Sequence, residues 1–204
     1  MSEIVSDIPE FRVKYKDVFH LKNLYVMMHE YLAEEGFFDQ DQISSTGDGH
    51  RYAETLYMEK FVQKGLHSGG KEMWVWWRTI KMPETKYSGY FRYKLDFDFH
   101  VVYMTDLEIM HQGKKMKINT GEIEIFIRPA VEADYQGTWA KHWLLKHFLR
   151  LYNQRILSQE FEKREKELWR DAYKFQGKLK QFLNMRTFIP VPEPFWHPIY
   201  GYES

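Results

Sequence analysis

"YFRYKLDFDFHVVYM", residues 90–104, alternates with a period of two. Phe91, Tyr93, Leu95, Phe97, Phe99, Val101 and Tyr103 share one parity; Arg92, Lys94, Asp96, Asp98 and His100 share the other. Successive strand side chains point to opposite faces, so this stretch predicts a long strand with one apolar and one charged face. An apolar sheet face has to be covered, and the rest of the chain is read for what covers it.

On the N-terminal side, "ETLYMEKFVQ" and "KEMWVWWRTIKM" flank the Gly-rich "KGLHSGG" and predict a hairpin. The first arm, 55–63, has a mixed pattern that also fits a helix. The second holds Trp74, Trp76 and Trp77 with apolar residues on both parities, as in a central strand covered on both faces. On the C-terminal side, "TDLEIMHQ", a turn at Gly113–Lys114 and "KKMKINTGEIEIFIRP" predict another hairpin. Its apolar parity flips from Met116 and Ile118 to Ile123, Ile125 and Ile127, which predicts a β-bulge centred on Gly121.

Two segments have helical spacing. In "DVFHLKNLYVMMHEYLAEEG", Asp17 suits an N-cap, apolar residues recur every three to four positions, and Gly36 stands where a helix stops. From Thr138, Trp139, Trp143, Leu144, His147, Leu151, Leu157, Phe161, Leu168 and Leu179 suit a long helix, kinked or broken near Tyr152–Asn153. "FIPVPEPFWHPIYGYES" has four prolines, which favour an extended chain. The expected fold is α+β: an N-terminal helix, an antiparallel meander of about five strands, and a long C-terminal helix packed on the sheet. The expected organisation is a polar arm at 1–16, one domain at 17–186, and an extended Pro/aromatic tail at 187–204.

With 204 residues, 44% hydrophobic, the chain can bury a core without disulfide or metal. It has no Cys, which removes disulfides, thiolate nucleophiles and Cys-ligated zinc. Its first 30 residues lack the basic start and apolar run of a signal peptide, and no stretch suits a transmembrane helix. The expected location is cytoplasmic.

The net charge of zero hides an asymmetry. Residues 1–138 carry 17 Lys and Arg against 22 Asp and Glu, whereas residues 139–186 carry 12 against 5. The C-terminal helix therefore attracts either the rest of the fold or an anionic partner such as nucleic acid. Lys163, Arg164, Lys166, Arg170 and Lys174 are the candidate contacts. In the tail, Phe195, Trp196, Tyr200 and Tyr202 need a place to dock, on this domain, a protein partner or a second copy. Asp96, Asp98 and His100, with Asp106, Glu108 and His111 past the next turn, are the candidates for a metal or acid–base patch; the competing reading is a solvated face with cross-strand ion pairs. Nucleotide-binding glycine motifs, a nucleophile elbow and His-Glu-x-x-His are absent from the sequence, so no cofactor is expected.

"HLKNLYVMMHEYLAEEG", "FRYKLDFDFHV" and "HQGKKMKINTGEIEI" resemble stretches of a family of uncharacterised proteins from archaea with small genomes, over about residues 13–192. The resemblance implies an archaeal, intracellular, single-domain protein and carries over no functional residue. The order helix, meander, long helix also resembles helix-grip (START-like) domains, in which a sheet curls around the terminal helix and leaves an apolar cavity. Three functions follow as expectations: an interaction or assembly protein using the helix and tail, a nucleic-acid- or ribosome-associated protein using the basic helix, and a helix-grip module for a hydrophobic small molecule.

Overall fold

The computed structural model describes residues 3–39, 53–62, 69–83, 89–111 and 114–185. The fold is α+β, with an antiparallel sheet of seven strands. They are β1 (Glu3–Asp7), β2 (Phe11–Phe19), β3 (Phe38–Asp39), β4 (Glu54–Val62), β5 (Gly70–Lys81), β6 (Phe91–His111) and β7 (Lys114–Ala133). β1 and β2 share the outer edge of β7, and β3 and β4 share the outer edge of β5. The sheet is therefore five lanes wide, with β6 in the middle.

The N-terminal stretch is not a separate polar arm. Residues 11–19 pair along β7, from Phe11 opposite Ile127 to Phe19 opposite Asn119. The cause is a second period-two pattern, Phe11, Val13, Tyr15 and Phe19 inward against Arg12, Lys14 and Lys16 outward. Asp17 consequently lies in β2, and the helix begins later. α1 spans Leu21–Glu34, capped by His20, whose Nδ1 accepts from the Asn23 N–H at 3.1 Å. It stops at Gly36, which takes φ +79°; the N–H of Phe37 reaches the Leu32 carbonyl at 2.8 Å, and that of Gly36 reaches Ala33. Only glycine enters that conformation without strain.

β6 and β7 form one long hairpin, so Asp106 and Glu108 continue along β6 and do not come to lie opposite Asp96. The bulge sits on β6. Val102 faces Glu122 and Thr105 faces Thr120, leaving Tyr103 and Met104 together opposite Gly121. Tyr103 has φ +53° and turns outward, contrary to its parity. Glycines flank the bulge on both neighbouring strands: a Cβ on Gly70 would stand 2.7 Å from the Tyr103 Cα, and one on Gly121 would stand 3.0 Å from the Met104 Cα.

Inward residues of β5, β6 and β7 form one core with α1 and the C-terminal helix. α2 (Thr138–Lys141) and α3 (Leu145–Leu151) lead to a π-helical turn at Tyr152–Ile156, and α4 (Ser158–Phe182) follows. α4 buries Phe161, Leu168, Ala172, Phe175 and Leu179. The other sheet face carries a grid of cross-strand ion pairs that are themselves partly buried. Over most of β5 only one face is covered, with Trp77 in the core and Trp76 exposed beneath the Arg78 guanidinium, whereas Ile80 on the outer face is buried. Among the described residues no helix is long and apolar enough to cross a membrane.

Gly70→Ala is expected to destabilise the fold by about 2 kcal/mol, because backbone, not a flexible side chain, blocks the methyl. Gly177→Ala, on α4 with nothing within 4 Å of the new carbon, is expected to stabilise by about 0.5–1 kcal/mol. Urea unfolding of both variants checks the pair.

Candidate functional site

A cleft of about 620 Å³ lies between α1 and the sheet, where two elements of the fold converge on one apolar floor. Its floor is Met73 and Val75 of β5 with Phe99, Val101 and Met104 of β6, all shielded from bulk water. Its roof is the first turns of α1, from Leu21 to Val26. The bulge ends the floor by turning Met104 inward and the following arm away. Asn119 fixes the roof to the sheet: its Oδ1 accepts from the Leu21 N–H at 3.2 Å, and its Nδ2 donates to Asp106 at 2.9 Å.

One polar chain enters this apolar space. The indole N–H of Trp77 donates to the Tyr25 hydroxyl at 2.8 Å, and that hydroxyl donates to Glu54. The rings of Tyr25 and Trp77 meet edge to face at 4.5 Å. Burial pushes the Glu54 carboxyl above the ordinary glutamate range. Lys22 and Lys71 stand at the mouth, the latter paired with Glu59 at 2.9 Å. The arrangement suits an apolar body with an oxygen-bearing head: the floor takes the body, and Glu54, Tyr25 and the lysines take the head.

The residues singled out in the sequence have other roles. Asp98 is held between Arg78, at 2.7 Å, and Arg128. Asp96 lies 3.6 Å from Arg78 and 3.8 Å from Lys94. Burial raises the Asp96 carboxyl against the pull of Lys94, Arg78 and Arg128. His100 stacks on Trp74 with centroids 5.0 Å apart and meets Glu72 at 3.1 Å. The two carboxylates thus face arginines, and among the described residues no three His, Asp or Glu side chains are grouped to hold a metal ion.

On α4, Lys163, Lys166 and Arg170 border a larger groove of about 880 Å³ with Trp169 and Tyr173. Its lining among the described residues comes from α4 alone and includes Glu162 and Glu167. Lys174 is exposed near Asp171, at 3.9 Å. Arg164 is turned inward. It is 3% exposed and bridges Glu167 at 2.7 Å and Glu160 at 3.0 Å, because it lies on the inward stripe with Phe161 and Leu168. Phe195, Trp196, Tyr200 and Tyr202 lie outside the described residues. The cleft residues Tyr25 and Glu54 had no sequence signal beyond helix spacing and a mixed strand pattern. Comparison with family models, curated proteins and solved structures finds no match to the chain.

Glu54 holds its proton more tightly in the folded chain than in the unfolded one. It therefore favours the fold below the ordinary glutamate pKa, and that contribution is lost as pH rises through the folded value. Glu54→Gln keeps an acceptor for Tyr25 and abolishes the titration. Its melting temperature is expected to gain on the wild type between about pH 4 and about pH 7; a constant difference across that range contradicts the assignment.

Proposed function

We propose that this chain is a binding module for a hydrophobic small molecule seated in the cleft beneath α1. The observation that carries the reading is the dry apolar floor closed at one side by the Trp77–Tyr25–Glu54 chain. A volume of about 620 Å³ is in the range of ligand sites, and the lining combines an apolar floor with polar groups able to fix a ligand's orientation. The cleft is roofed by α1 and not by the terminal helix, as the helix-grip likeness would have it, so the reading rests on the lining of the cleft itself. Assembly through the tail rests on residues outside the described ones. Nucleic-acid binding along α4 loses Arg164 to an internal bridge and meets carboxylates in the groove.

The test is titration of the full chain with a fluorescent fatty acid, alongside Val26→Trp. Val26 is half exposed on the roof, so the larger side chain enters the cleft without disturbing the core. Saturable one-to-one binding is expected, weakened at least about fivefold in the variant, since overpacking a site costs about 1–3 kcal/mol. Absence of saturable binding, or equal binding by the variant, overturns the reading.

A further inference from the structure

Residues 138–157 contain Lys141, Lys146, Arg150 and Arg155, with His142 and His147, and no Asp or Glu. Both ends of this segment are fixed. The buried Asp134 carboxylate accepts from the backbone N–H of Trp139 at 3.1 Å and of Ala140 at 2.8 Å, and from the Thr138 hydroxyl at 3.0 Å. Trp139 stacks on Tyr152 at 4.2 Å, and the Tyr90 hydroxyl bonds the Asn153 side chain.

Between these anchors the apolar arc of α3 is wider than the protein covers. Leu145 and Leu149 are partly buried. Leu144, Phe148 and Leu151, at helical spacing, are 44%, 52% and 51% exposed, and Trp143 is 75% exposed. Ile156, in the π-helical turn that follows, is exposed as well. Such a patch, in a segment whose charged residues are all basic, is costly in water and calls for a partner that offers both apolar contact and anionic charge.

We propose that this segment docks the protein onto an anionic lipid surface. Trp143, Leu144, Phe148 and Leu151 enter the headgroup–acyl boundary, while Lys141, Lys146 and Arg155 lie over lipid phosphates. Charge excludes a second copy as the preferred occupant, since a two-fold contact would press the cationic segment against itself. Nucleic acid fits less well, because Leu144, Leu151 and Ile156 have no flat face on which a base stacks. The segment is anchored at the Tyr90–Phe91 end of β6, whereas the cleft lies at Phe99–Met104. The two sites are therefore separable by experiment.

The test is co-sedimentation of the full chain with vesicles of phosphatidylcholine alone and of phosphatidylcholine mixed with phosphatidylglycerol. Two double variants accompany it, Lys146→Glu/Arg155→Glu and Trp143→Ser/Phe148→Ser. All four side chains are exposed, so the melting temperature is expected to stay unchanged. Wild type is expected to sediment with the mixed vesicles, to be released by salt, and to lose at least about tenfold in partitioning in each variant, each removed cation alone counting for roughly fivefold. No sedimentation with mixed vesicles overturns the proposal, as does equal sedimentation of the variants. Retention of an RNA oligonucleotide through the same residues, without vesicle binding, overturns it in favour of nucleic acid. Fluorescent fatty-acid binding in the cleft is expected to be the same in the wild type and both variants.

Discussion

Six inward side chains of β6, from Phe91 to Val101, have to be kept from water, and every large element is placed by that need. Full burial of each is worth roughly 2 kcal/mol, so together they rival the net stability of an ordinary domain. α4 lies over the Phe91–Phe97 half of the strand: Phe161 meets Phe91 at 4.9 Å between ring centroids, and Phe175 meets Phe97 at 4.7 Å. α1 takes the other half, where Tyr25 meets Phe99 at 6.0 Å between ring centroids. The bulge at Tyr103 and Met104 then ends the demand by turning the strand out of the core. Two helices crossing one long strand do not tile it completely, and the remainder is the cleft.

Polar groups fix how the helices sit. The Tyr93 hydroxyl, on the core face, donates to Glu167 at 2.6 Å, and Arg164 closes the group from above. Burial and the neighbouring Glu167 carboxylate both raise the Tyr93 hydroxyl, so it stays a donor at neutral pH. Lys81 at the end of β5 reaches Asp171 at 2.9 Å. These bonds define one register of α4 on the sheet, which apolar contact alone would leave looser. Part of the charge asymmetry along the chain is therefore spent internally. The uncompensated remainder concentrates between Thr138 and Leu157, where the apolar surface is also uncovered.

The sheet was legible because strand periodicity is local. The β4–β5 hairpin, the alternation of β6, the bulge near Gly121 and the stop at Gly36 all follow from residue type and spacing. The break at Tyr152–Ile156 follows from the change in helical spacing. Where two patterns overlapped, sequence was ambiguous. Val18 and Phe19 fit a helix start as well as a strand, and the strand prevailed because β7 offered an unpaired edge. Tyr103 left its parity because backbone pairing, not side-chain type, places a bulged residue. Whether a basic residue faces solvent or the core depends on its angle around α4, which separates Arg164 from Lys163. The cleft was illegible, since it exists only where α1 crosses β5 and β6, and its polar chain joins residues far apart in the sequence, from Tyr25 to Glu54 and Trp77.

The central claim is that the space beneath α1 is a ligand site and not a gap in the packing. Ten methionines offer methyl probes throughout the protein, and two of them, Met73 and Met104, line the cleft, whereas Met28 is buried beneath α1 outside it. The most direct measurement is methyl NMR of the full chain during titration with a medium-chain fatty acid. The account predicts saturable shifts of the Met73 and Met104 methyls, with Met28 nearly unmoved. Unshifted Met73 and Met104 methyls at saturating fatty acid, or equal shifts across all methionines, would contradict it.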